Sequence, residues 1–191
     1  MSPFEYLSVL ISIVLALGMT RVVAGIGEML QVRSHKSIYW VHAVWVVNLF
    51  LFLVVGWWIF YRWRAQAEWT YFLFIFVLIS PILLYLAAVV LFPPERREEE
   101  DADYRAHFYR NHRSFFILFA LWVPVDVADT LLKGTAHFFS LGPAYVGSAV
   151  LLSVVLVTAA VTRNERYHAF AAVYFFCHTV AISFLFFHTL V

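Results

Sequence analysis

Residues 69–92 read WTYFLFIFVLISPILLYLAAVVLF, an uncharged run relieved only by Thr70, Ser80, Pro81 and two tyrosines. A helix rising 1.5 Å per residue needs about 20 such residues to cross a hydrocarbon core about 30 Å thick. The run meets that length and is apolar all round, whereas a membrane strand alternates apolar with polar residues. Working outward, blocks of the same kind cover residues 4–24, 38–61, 114–132, 141–162 and 167–190. The composition agrees: 63% hydrophobic residues, 13% charged residues and a mean hydropathy of +0.82 lie far outside the range of soluble globular domains. The expected fold is therefore an all-α membrane protein, one domain over residues 1–191 with six transmembrane helices. Residues 93–113 form its one substantial, charged loop. A formal net charge of +1 gives no reason to expect a nucleic-acid partner. The lone Cys177 has no disulfide partner in the chain, so it does not report on compartment.

The cations set the topology. Arg33 and Lys36 follow the first block, Arg96, Arg97, Arg105, Arg110 and Arg113 follow the third, and Arg163 and Arg166 follow the fifth. The opposite side carries only Arg62, Arg64 and Lys133. By the positive-inside bias the first group is cytoplasmic, and both termini lie on the non-cytoplasmic side. Trp57, Trp58, Tyr61, Trp63 and Trp69 then fall where an outer interfacial belt belongs. No cation precedes the first block, so it reads as a retained helix rather than a secretory signal.

Function is sought among the ionisable groups inside these blocks, because a carboxylate at mid-membrane costs roughly 2.5–3.5 kcal/mol even on lenient insertion scales. The fourth block holds Trp122-Val123-Pro124-Val125-Asp126-Val127-Ala128-Asp129. Asp126 and Asp129 lie one turn apart on one face, and Lys133 follows Asp129 at i+4. Asp129 therefore reads as half of a structural ion pair. Asp126 lies deeper, follows a helix-interior proline that frees a carbonyl, and shares mid-depth with Asn48 of the second block and His178 of the sixth. An imidazole titrates near neutral pH and can accept and donate at once, so Asp126, His178 and Asn48, with Asp129 nearby, form a candidate ion- or proton-binding set. The bland account of the same residues is a hydrogen-bonded cluster that holds helices in register.

Other polar groups are assigned to pathway or helix pairing. On the first helix Glu5, Ser8, Ser12, Ala16, Thr20, Ala24 and Glu28 make a small or polar stripe, expected to serve close helix packing. Arg21 lies on another face as an anchor, with Glu28 its candidate acid if it turns into the bundle. His42, His168 and His188 lie toward helix ends. A b-type haem would require two histidines facing each other at one depth, for which His42 and His168 are the candidates; otherwise no cofactor is expected. A potassium-filter TVGYG, an HExxH zinc motif, a Walker loop and a CaaX ending are all absent.

The opening Pro3-Phe4-Glu5-Tyr6-Leu7-Ser8-Val9-Leu10, with Gly18 and the Trp-rich second helix, resembles a group of uncharacterised bacterial inner-membrane proteins. The resemblance implies a multi-pass inner-membrane location and transfers no activity. The expectation is a small channel or transporter for protons or cations. The alternatives are a non-catalytic membrane subunit that docks a partner on the 93–113 loop, and a haem electron-transfer protein. The expected partners are the lipid bilayer and further copies of the chain.

Overall fold

The computed structural model describes residues 2–31, 39–66, 68–94 and 103–186. Among them there are helices and connections and no strand. The helices are α1 (Pro3–Gln31), α2 (Trp40–Tyr61, continued by a 3-10 turn at Arg62–Ala65), α3 (Tyr71–Leu91), α4 (Tyr104–Leu132), α5 (Thr135–Ser140), α6 (Gly142–Val161) and α7 (Glu165–Phe186). All except α5 are long and apolar enough to cross a membrane, which makes this a multi-pass membrane protein.

Local chemistry explains the helix ends. Ser2 and Glu5 form a reciprocal capping box at α1, Ser2 N donating to Glu5 Oε2 at 2.8 Å and Glu5 N to Ser2 Oγ at 3.2 Å, with Pro3 in the first turn. Thr70 caps α3, Asp103 caps α4 through the amides of Arg105 and Ala106, and Asn164 caps α7 through those of Arg166 and Tyr167. Gly134 (φ 128°) and Gly142 (φ 71°) allow the two sharp turns that bracket α5, in backbone conformations side chains rarely adopt. The end of α3 needs outside help, because Pro93 and Pro94 have no N–H to offer the preceding turn. His107 Nε2 reaches the Val90 carbonyl at 3.1 Å, His42 Nε2 the Leu91 carbonyl at 2.9 Å, and Arg21 Nη2 donates to the Pro93 carbonyl at 2.7 Å.

Two expectations change here. The fourth helix begins at Tyr104, ten residues before the apolar block, so the second half of the 93–113 loop is helix; residues 95–102 lie outside the described residues. Hydropathy detects only the length immersed in lipid, whereas Asp103 starts the helix earlier and Tyr104 and Phe108 bury its inner face. The small stripe on α1 is not the packing face. The buried residues are Leu7, Ile11, Leu15, Gly18, Val22, Gly25 and Met29, a helical-period face beside it, while Ala16, Thr20 and Ala24 are exposed. Ser8 and Ser12 instead donate to carbonyls of their own helix.

The helices pack as neighbours α1–α2, α1–α3, α2–α3, α3–α4, α4–α6, α6–α7 and α2–α7, with α2 and α4 innermost. Between them lies an aromatic core. Trp45 and Phe52 of α2 meet Phe115, Phe116, Phe119 and Trp122 of α4 and Phe175 of α7, with ring centroids 4.5 Å apart for Phe52–Trp122 and 5.0 Å for Trp45–Phe116. Offset and edge-to-face pairs of this kind add about 0.5–1.5 kcal/mol each beyond burial. This core fills one half of the bundle and stops at Trp122. Beyond it, toward the ends of α2 and α4, the interior opens.

Candidate functional site

A cavity of about 100 Å³ lies between α2, α4, α6 and α7 and runs from Phe52 and Trp122 to Arg62, Lys133 and His137 at the helix ends. A water needs roughly 10–15 Å³ of such space, so several fit. Asp126, Asp129 and Thr130 form the α4 wall, Tyr145 and Ser148 the α6 wall, and His178 and Thr179 the α7 wall. The sequence-predicted pair of Asp126 and His178 is therefore brought to one cavity from two helices. Among the described residues, His178 Nε2 and the Oγ1 of Thr179, a residue 4% exposed, are buried without a hydrogen-bond partner.

The two carboxylates differ in how far they are committed. Asp129 Oδ1 accepts from Trp63 Nε1 at 2.7 Å, its Oδ2 takes a close ion pair from Lys133, and the ammonium also lies 5.1 Å from the centroid of the Trp63 ring. Lys133 reaches the Ile59 carbonyl at 3.5 Å, so this group ties α4 to the end of α2. Asp126 has no ion pair among the described residues. Its Oδ2 accepts a hydrogen bond of 2.8 Å from the Tyr145 hydroxyl, and that hydroxyl lies 3.1 Å from Thr130 Oγ1. Because the tyrosine proton is directed at the carboxylate, Thr130 must donate to Tyr145, and the chain runs Thr130 to Tyr145 to Asp126. At the mouth, burial and the cations Arg62 and Lys133 hold the His137 imidazole below the ordinary histidine range, so it is neutral at pH 7.

A second, smaller cavity of about 30 Å³ lies on the other side of the same helix, among α1, α2, α3 and α4. Ser80, Pro81 and Trp63 line it, and so do Asp126 and Asp129. Trp122 also borders both spaces, and its Nε1 donates to Ser80 Oγ at 2.7 Å. Asp126 thus stands in the partition between two cavities.

The remaining candidates are engaged elsewhere. Asn48 is fully buried, but its Nδ2 donates to the Ala172 carbonyl at 2.9 Å, joining α2 to α7 away from the cavity. Glu5 belongs to the α1 cap. Arg21 binds Glu28 at 3.1 Å and stacks over Phe92 at 5.1 Å while holding the end of α3, so it does turn into the bundle with Glu28 as its acid. His42 packs on Phe92 and Tyr104. His168 bonds the Thr162 carbonyl at 3.0 Å, and its ring is boxed by Phe108, Tyr109, His112 and Phe116. Each Nε2 is held by a carbonyl and each ring packs on aromatic neighbours, while the Nδ1 of each is buried without a hydrogen-bond partner among the described residues. His188 lies outside the described residues. Sequence reasoning did not single out Tyr145, Thr130 or Thr179; Tyr145 sits in the first turn of α6, where a tyrosine is explained by the interfacial belt alone.

No protein-family model, no curated protein and no solved structure matches the chain.

Proposed function

We propose that this chain is a small inner-membrane channel or transporter that moves protons or cations by way of Asp126. One observation carries the reading: of the two carboxylates that line both cavities, Asp126 is the one without an ion pair among the described residues, so it can be approached from two sides of α4. An ionisable group in a membrane bundle is expensive unless it serves a path or a partner, and among the described residues Asp126 has only a tyrosine hydroxyl. The cation distribution orients the bundle with the larger cavity facing outward and both termini outside.

The cavity size argues against an organic substrate. About 100 Å³ is less than the roughly 150 Å³ that accommodates benzene, and well below the 300–1,000 Å³ of ordinary ligand sites. The test is flux in proteoliposomes under an imposed pH or ion gradient. Wild-type protein is expected to conduct and Asp126→Asn, which keeps the shape and removes the charge, to lose nearly all of it. Undiminished flux in Asp126→Asn overturns the assignment. Absence of flux in the wild type, with assembly lost in the same variant, favours a membrane subunit whose polar groups only join helices.

A further inference from the structure

We infer that the ion carried is the proton, and that Tyr145, bridging Thr130 and Asp126, relays it between the carboxylate and water in the larger cavity. The inference rests on the transport reading and narrows it.

The coordination available argues against a metal cation. Hard cations take about six or more oxygen ligands. Both oxygens of Asp129 are already bound, by the Trp63 indole and the Lys133 ammonium, and one oxygen of Asp126 is taken by Tyr145. Among the described residues no cluster of three His, Cys, Asp or Glu could hold a metal. A proton needs no coordination shell and moves by exchanging hydrogen bonds, so the shortage of free ligands does not stop it.

The geometry of the chain fits that exchange. Thr130 lies one turn nearer the mouth than Asp126 on the same helix, and Tyr145 of α6 spans the two at 3.1 and 2.8 Å. The drawn arrangement, with Tyr145 donating to Asp126, is the ionised state. When a proton reaches Asp126 from the smaller cavity, the carboxyl becomes a donor and the chain reverses. Release then breaks the Asp126 O–H bond and forms a new O–H bond on Tyr145, whose own proton passes to Thr130, whose proton passes to a cavity water. One proton leaves as hydronium, and every hydroxyl ends with the proton count it began with. The groups facing Asp126 are Tyr145 from α6, His178 from α7, and Asp129 and Lys133 from α4.

Reconstituted wild-type and Tyr145→Phe proteins would be assayed with an internal pH dye, with sodium and potassium flux measured in parallel, in H2O and in D2O. The expected result is proton flux with no sodium or potassium flux, a twofold or larger slowing in D2O, and at least a tenfold loss in Tyr145→Phe. Sodium or potassium flux that depends on Asp126 keeps the transport reading and overturns the proton. Proton flux unchanged in Tyr145→Phe, or a wild-type rate equal in H2O and D2O, overturns the relay. No flux of any ion overturns the transport reading itself. The wild-type selectivity and isotope measurements decide the matter even where the variant does not fold.

Discussion

Replacing Lys133 with methionine removes the cation from Asp129 while keeping the length of the side chain. The pair is well shielded, with side-chain exposures of 11% for Lys133 and 14% for Asp129, so little screening by water is available. Breaking one half of a buried pair leaves an uncompensated charge, typically at about 3–5 kcal/mol. The bond from Trp63 Nε1 to Asp129 persists and offsets part of the loss. Lys133→Met is therefore expected to cost about 2–4 kcal/mol, and Asp129→Asn with Lys133→Met to recover most of it. Reversible unfolding in mixed micelles of mild detergent and sodium dodecyl sulfate, followed by tryptophan fluorescence, measures all three proteins. A loss below about 1 kcal/mol at pH 7, or a double variant no better than the single, would refute the claim that this pair is what joins α4 to the end of α2.

Two further perturbations test the fold and the partition. A Cβ on Gly25 would lie 2.2 Å from the Phe92 ring, whereas one on Gly27 would meet nothing within 4 Å. Gly25→Ala is expected to lose about 1–3 kcal/mol to overpacking, less the gain of about 1 kcal/mol in helix propensity, while Gly27→Ala is neutral or stabilising; the same unfolding assay separates them. Trp122→Phe removes the bond to Ser80 and thins the wall between the cavities, so proton flux through otherwise intact protein should rise several-fold. Equal or lower flux in Trp122→Phe counts against Trp122 as the partition.

The helices were legible because a membrane span must satisfy its backbone within itself, so each one declares itself in a single stretch of sequence. What lies outside lipid was not legible by that signal: the start of α4 at Tyr104 and the short α5 depend on Asp103, Gly134 and Gly142 rather than on hydropathy. The ion pair of Asp129 and Lys133 could be read directly, being local and one turn apart.

Contacts between helices separate into depth and direction, and only the first can be counted along a chain. At 1.5 Å per residue, Asn48, Asp126 and His178 are expected at a common depth, but Asn48 meets Ala172, six residues from His178, and the cavity that Asp126 lines begins at Phe52. Direction around each axis comes from packing; α2 is apolar on nearly all sides and the polar residues of α4 are spread around its axis, so neither shows a single buried face in its sequence. Here small residues decided. Ala171 and Ala172, both fully buried, let α7 approach α2 closely, and that approach gives Asn48 Nδ2 a backbone carbonyl. The same approach, continued two turns along α7, leaves His178 and Thr179 lining the cavity that Asp126 lines from α4. Tyr145 enters from a fourth helix at a position where its ring needs no special explanation, and only its hydroxyl, 2.8 Å from Asp126, distinguishes it from a belt residue. The carboxylate could thus be found by its cost in hydrocarbon, while its partners, which cost nothing unusual where they stand, required the packing to be known.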